Sequence, residues 1–233
     1  MLIGHPVPGK RKSADIVQAF IAGAPKDAQG HVFYGVTEGN VDAWRKARAS
    51  GQDWFYCDNS YFDPVRGTQF RVTKNRLQHD GQGVSDGKRL ARIGVEIERW
   101  RADVGYALVI PQGDGFMRLV AGERGDWLYD VTHSGLGPFR VRAWSSDKPK
   151  LASMLRHDLM GARLLVTYAS AAAVTAVLAG VRVLCSKDCA AHCFSGGATP
   201  SDDERWRWAA VLADQQFSLE EFRDGAAWNA VNA

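Results

Sequence analysis

The loop that follows Trp54–Cys57 holds side chains able to move a proton or hold charge: Asp58, Asn59, Tyr61, Arg71, Lys74, Asn75, His79 and Asp80. Deprotonating a hydroxyl needs a positioned base. Asp58 at a strand end, or His79 beside Asp80, has the right chemistry. Imidazole is the better tuned of the two near neutral pH. A structural reading competes, in which Asp58 and Asn59 cap backbone groups of the loop. The loop is also basic and aromatic, through Arg66, Arg71, Lys74 and Arg76 with Tyr61, Phe62 and Phe70. That mixture suits a nucleic-acid strand, by phosphate pairing and base stacking.

A second constellation lies in RLLVTYASAAAVTAVLAGVRVLC, from Arg163 to Cys185. An apolar strand ends at Thr167, and Ser170 opens a helix of small residues. In a parallel sheet, ligands bind outside the carboxyl ends of the strands. A helix starting there offers backbone N–H groups and a positive dipole end to phosphate. Ser170, Ala171 and Ala172 are small enough for close approach. The bland alternative is that they only let the helix pack tightly. Gln112 and Gly113 follow the strand Tyr106–Pro111 and suit a phosphate or a hydroxyl; Gly-Asp-Gly is also ordinary turn chemistry. After Phe139–Trp144, Trp144 is placed to stack on a base and Lys148 to pair with phosphate. The alternative there is a solvated edge strand with Arg140 and Arg142 facing water.

Other features carry less. His5 enters a cleft only if Leu2–Ile3 is the first strand. Lys10, Arg11 and Lys12 read as a solvated face, with phosphate contact as the alternative. The spacing Cys185-x3-Cys189-x2-His192-Cys193 lacks the paired C-x2-C of zinc ribbons, so no metal site is expected. The cysteines read as reduced thiols in a cytoplasmic protein.

These groups must be positioned by elements, and the pattern alternates strand with helix. Predicted helices cover Ile16–Ala22, Val41–Ala49, Asp126–His133, Lys150–Leu159, Ser170–Ala179, Asp202–Ala213 and Leu219–Val231, the last with a capping box at Ser218 and Glu221. Predicted strands cover His31–Val36, Trp54–Cys57, Phe70–Thr73, Tyr106–Pro111, Phe139–Trp144, Arg163–Thr167 and Val181–Cys185. YALVIP, RLLVTY and VRVLC are nearly continuous apolar runs, as in parallel strands covered on both faces. The expected class is α/β with Rossmann-like parallel sheets. Residues 1–104 form an N-terminal half with a long polar loop, and 105–233 a ligand-binding half with C-terminal helices.

The chain has 233 residues, with 45% hydrophobic and 24% charged side chains. That is ordinary globular usage, which excludes disordered and collagen-like classes. Net charge is +3, too mild for bulk attraction to nucleic acid. No apolar run is long enough for a membrane span, and MLIGHPVPGKRKS lacks a secretory h-region.

The stretch Ala176-Val-Leu-Ala-Gly180-Val181-Arg182-Val183, with the Ser170 turn before it, resembles the donor half of GT-B glycosyltransferases and nucleotide-sugar epimerases. It is also similar to glycosyltransferase-like proteins of phages and bacteria. Arg182 stands where proline is usual, and Thr175 where many members carry a ribose-gripping glutamate. The resemblance implies a reduced GT-B-like arrangement with a trimmed N-terminal half. It implies a nucleotide-sugar co-substrate, no other cofactor and no metal, and a glycan or modified DNA base as acceptor. Donor contacts fall on Gln112, Gly113, Ser145, Lys148, Thr167, Ser170, Ala171, Ala172 and Thr175. Asn59, Tyr61, Arg71, Lys74 and Asn75 are then acceptor contacts, and Asp58 or His79 the base. The alternative function is a nucleotide- or nucleic-acid-binding protein without catalysis.

Overall fold

The computed structural model describes residues 1–37, 39–62, 67–113, 116–117, 127–142, 152–196 and 198–233. The expectations for Arg66, Trp144, Ser145 and Lys148 lie outside these residues.

The chain forms two compact units. The first comprises 1–79, 85–93 and 210–233; the second comprises 80–84 and 94–209. The C-terminal segment 210–233 groups with residues 1–79 and 85–93.

The first unit is built on a sheet of β1 (Leu2–His5), β2 (Gly30–Tyr34), β3 (Trp54–Asn59), β4 (Gln69–Lys74) and β9 (Gln216–Ser218), in that order. β1, β2 and β3 are parallel; β4 and β9 run antiparallel to their neighbours. Helix α1 (Arg11–Gly23) covers one face. Its Ile16, Val17 and Phe20 recur at helical spacing and are buried against Leu2, Val32, Phe55 and Val72. Helix α2 (Val41–Ser50) follows β2 and ends at Gly51 in the left-handed conformation. Helix α3 spans Lys88–Ile93. The predicted C-terminal helix is broken at Gly225, whose φ is +88°, into α8 (Leu219–Arg223) and α9 (Ala226–Asn232). The capping box at Ser218 and Glu221 is present.

The second unit carries β5 (Tyr106–Ile110), β6 (Phe139–Val141), β7 (Ala162–Thr167) and β8 (Arg182–Cys185) in the order β6-β5-β7-β8, all parallel. Its helices are α4 (Trp127–Thr132), α5 (Ala152–Leu159) and α6 (Ala172–Leu178). Helix α7 (Asp202–Asp214) leads the chain back to the first unit. Ala107, Val109 and Val166 form a small core under Trp127 and Val131. Buried Arg205 donates to the carbonyls of Val177 and Glu98 and to Asp202, which ties α7 to its own unit.

Candidate functional site

Parallel strands end on one edge, so β1, β2 and β3 bring His5, Tyr34 and Asp58–Asn59 to the same side of the first sheet. The sequence pattern alone did not fix Leu2–Ile3 as a strand; pairing with β2 does. Period-2 alternation then puts His5 on the face that carries His31 and Phe33, opposite the α1 core.

His5 and His31 share a hydrogen bond of 2.9 Å between Nε2 and Nδ1, and His31 Nε2 lies 2.8 Å from Gln52 Oε1. The amide oxygen of Gln52 only accepts, so His31 Nε2 donates to it. His31 Nδ1 is then the acceptor for His5 Nε2–H. By elimination the lone pair of neutral His5 sits on Nδ1. The His5 ring stacks on Phe33, 4.6 Å between centroids. Burial, and secondly the nearby His31, lower the His5 pKa, which favours this neutral form. Buried Asn40 fixes the loops around it, donating to the carbonyls of His5 and Gly35 while accepting from the Thr37 amide.

Asp58 is held tightly. Its Oδ2 accepts from Arg71 Nη2 at 2.7 Å, and its Oδ1 from the Asn59 amide at 2.7 Å. Arg71 is 4% exposed and also donates to the Asn59 carbonyl. Its guanidinium lies over the Tyr61 ring at 4.8 Å. Tyr61 Oη accepts from the His79 amide at 2.9 Å. The structure therefore brings Asp58, Asn59, Tyr61, Arg71 and the His79 backbone together. Asn59 Oδ1 also accepts from Lys12 Nζ at 2.8 Å and from Tyr34 Oη at 3.3 Å. Lys12 thus has a defined partner rather than a purely solvated role.

Lys74 and Asn75 do not join this group. β4 runs antiparallel to β3, so these residues reach the amino end of β3. Lys74 pairs with Asp53 at 2.8 Å, and Asn75, at φ +56°, binds the Trp54 amide and Asp53. Both brace a turn.

In the second unit the Ser170 turn lies at the carboxyl edge, as expected, and is half-buried. Its amides are turned inward. Ala172 donates to Ser170 Oγ at 3.2 Å, Ala173 to the Ser170 carbonyl and Val174 to the Ala171 carbonyl. The helix proper begins only at Ala172, and Thr175 is half-buried one turn into it. Thr167 is buried and donates to the Ile110 carbonyl at 2.7 Å, pinning β7 to β5. Gln112 and Gly113 occupy the same edge, with open space beside Gly113. The Cys189 thiol donates to the Ser170 carbonyl at 3.7 Å. Burial and hydrogen bonding to Cys189 push the Cys185 thiol far up, with the Cys189 bond the larger cause. Among the described residues, no group of His, Cys, Asp and Glu is arranged to hold a metal. No described helix is long and apolar enough to cross a membrane.

The parallel sheets and their helices define a mixed α/β protein of Rossmann-like build. One known structure agrees on that class. KpsC of Thermosulfurimonas dismutans, described as a beta Kdo 2,7 transferase, aligns with a TM-score of 0.52 at 10% identity, over 99% of this chain and 98% of that one. KpsC of the same organism described as a beta Kdo 2,4 transferase aligns with a TM-score of 0.46 at 11% identity, over 91% and 90%. No family model and no curated protein matches the sequence.

Proposed function

We propose that the chain is a glycosyltransferase that moves a sugar from a nucleotide-sugar donor to a hydroxyl of a glycan or a modified DNA base. The observation that carries the reading is the His5–His31–Gln52 chain, which runs from His5 at the carboxyl end of β1 back to Gln52 ahead of β3. It fixes the tautomer of a half-buried imidazole and leaves Nδ1 as the acceptor for a hydroxyl proton. His5 takes the role first sought at Asp58 or His79. Both Asp58 oxygens are already engaged by Arg71 and Asn59, which suits orienting an acceptor better than taking its proton. Tyr61 and Asn59 are acceptor contacts, and Gln112, Gly113, Ser170 and Ala171 are donor contacts. The fold likeness to a Kdo transferase supports the reaction class and puts nucleotide-activated Kdo first among donors to try.

The test is turnover and thermal shift with a panel of nucleotide sugars. His5→Gln is expected to lower kcat at least about 100-fold, the usual contribution of a general base. His79→Gln is expected to stay near wild type. Equal loss in both variants, or no shift with any donor, overturns the reading.

Two observations favour binding without catalysis. Thr175 stands in place of an acid, and the Ser170 turn satisfies its own amides. Recovery of an intact bound nucleotide sugar after long incubation with a hydroxyl acceptor distinguishes that case.

A further inference from the structure

A cavity of about 230 Å³ opens beside the amino ends of β7 and β8, lined by Asp103, Arg163, Leu164, Arg182, Leu184 and Gly196 among the described residues. It lies at the edge of the second sheet opposite the Ser170 turn, since Arg163 and Arg182 stand at the amino ends of their strands while Thr167 and Cys185 close them. Two guanidinium groups converge there on one carboxylate. Arg182 Nη1 lies 2.9 Å from Asp103 Oδ2, and Arg163 Nη1 lies 3.8 Å from Asp103 Oδ1. One positive charge is left over. Arg163 is aimed by a second bond to the Leu136 carbonyl. Arg182 Nε is buried and has no hydrogen-bond partner. The Arg182 side chain is nonetheless 31% exposed, so it meets the cavity through its outer guanidinium atoms. The floor is apolar: β8 is an edge strand, Leu164 pairs in register with Arg182, and Leu184 remains 40% exposed.

We propose that this cavity binds a small ligand with an oxyanion, carboxylate or phosphate, on a ring-sized apolar body. One oxyanion oxygen accepts from the outer, Nη side of the Arg182 guanidinium, and a second replaces the loose contact of Asp103 with Arg163. Guanidinium matches both head groups through paired, charge-assisted bonds. The apolar body lies on Leu164 and Leu184. A water fills about 30 Å³, so the cavity has room for a single ring with its head group. The site is separate from the proposed donor edge and does not depend on transferase activity.

The experiment titrates the full chain with phenyl phosphate, benzoate and neutral benzyl alcohol, following amide shifts and heat. Phenyl phosphate or benzoate is expected to bind with a Kd of about 1 mM or tighter, and the tighter one names the head group. Benzyl alcohol is expected to bind at least about 10-fold more weakly. Arg182→Met and Arg182→Lys are expected to weaken anion binding about 10-fold, since lysine lacks the planar fork. Asp103→Asn removes the competing carboxylate and is expected to tighten it several-fold. A destabilised variant cannot give that gain, so this arm separates binding from folding. No binding by either anion, equal binding of the alcohol, or weaker binding in Asp103→Asn overturns the proposal.

Discussion

His5 sits where three parallel strands end, and its tautomer follows from what Gln52 can accept. Its protonation gives a pH signature with a definite sign. Burial, and next His31, hold the folded pKa below the ordinary value of about 6.5. Unfolded His5 takes its proton near that value; folded His5 takes it only at lower pH. The contribution to stability is therefore complete above about pH 6.5 and is lost as pH falls toward the folded pKa. His5→Gln is expected to flatten the slope of unfolding free energy against pH below about 6.5, measured by urea titration at several pH values. An unchanged slope would mean the imidazole is not neutral in the fold. Arg71 supports a second prediction at this scale. It is nearly sealed from water and is the cation that faces Asp58. Arg71→Met leaves that carboxylate without its partner and is expected to cost about 3 kcal/mol. Asp58 is 27% exposed on its side chain, so water recovers part of the loss. The double variant with Asp58→Asn is expected to be more stable than Arg71→Met alone. Asp58, Asn59, Tyr61 and Arg71 were legible as a group because residue types at close spacing around one strand end signal a site. His5 was legible only on the condition that Leu2–Ile3 is a strand, because so short a strand has no periodicity to detect, and its partners His31 and Gln52 are distant in sequence.

Elements were legible where burial leaves a local trace. YALVI, RLLVT and RVLC are nearly continuous apolar runs, and each belongs to a strand of the parallel sheet in the second unit. Strand direction leaves no such trace, which is why Lys74 and Asn75 were grouped with Asp58; antiparallel pairing carries them to the other end of β3. Nor does a close backbone approach show in a helix pattern. Gly225 breaks the predicted Leu219–Val231 helix, and the break lets α1 lie against α8. A Cβ on Gly23 would stand 2.1 Å from the Phe222 carbonyl oxygen and 2.8 Å from the Gly225 nitrogen. Both neighbours are backbone and have little room to move. Gly23→Ala is therefore expected to destabilise by about 1–3 kcal/mol, seen as a lower urea midpoint at unchanged m-value. The capping box gives a smaller effect nearby. Ser218→Ala removes the acceptor for the Glu221 amide and is expected to cost about 1 kcal/mol.

At the scale of the whole chain, the first unit depends on residues far apart in sequence. Its core joins Phe20 and Phe55 to Phe222 and Trp228; Trp228 lies 5.7 Å from the Phe20 ring and 5.0 Å from the Phe55 ring, centroid to centroid. β9 supplies the partner for the outer side of β4. Gln216, fully buried, accepts from the Phe62 amide and donates to the Phe62 carbonyl, so it closes the loop after β3 as well. The second unit has no comparable debt to the C-terminus, because 94–209 supplies its whole sheet. A chain ending at Gln215 loses β9, α8 and α9 together. Burial of aromatic side chains is worth about 1.5–3 kcal/mol each, and Phe217, Phe222 and most of Trp228 go at once. That sum approaches the 5–15 kcal/mol on which a domain of this kind ordinarily rests. The truncated chain is expected to lose dispersed amide signals for β1–β4 while keeping those for β5–β8, read from one heteronuclear NMR spectrum. Phenyl phosphate or benzoate is expected still to shift the Arg182 amide in that spectrum, because Asp103, Arg163 and Arg182 all remain in the surviving unit. Retained β1–β4 signals would show that the first unit stands without its C-terminal helices; loss of every signal would show that the second unit does not stand alone.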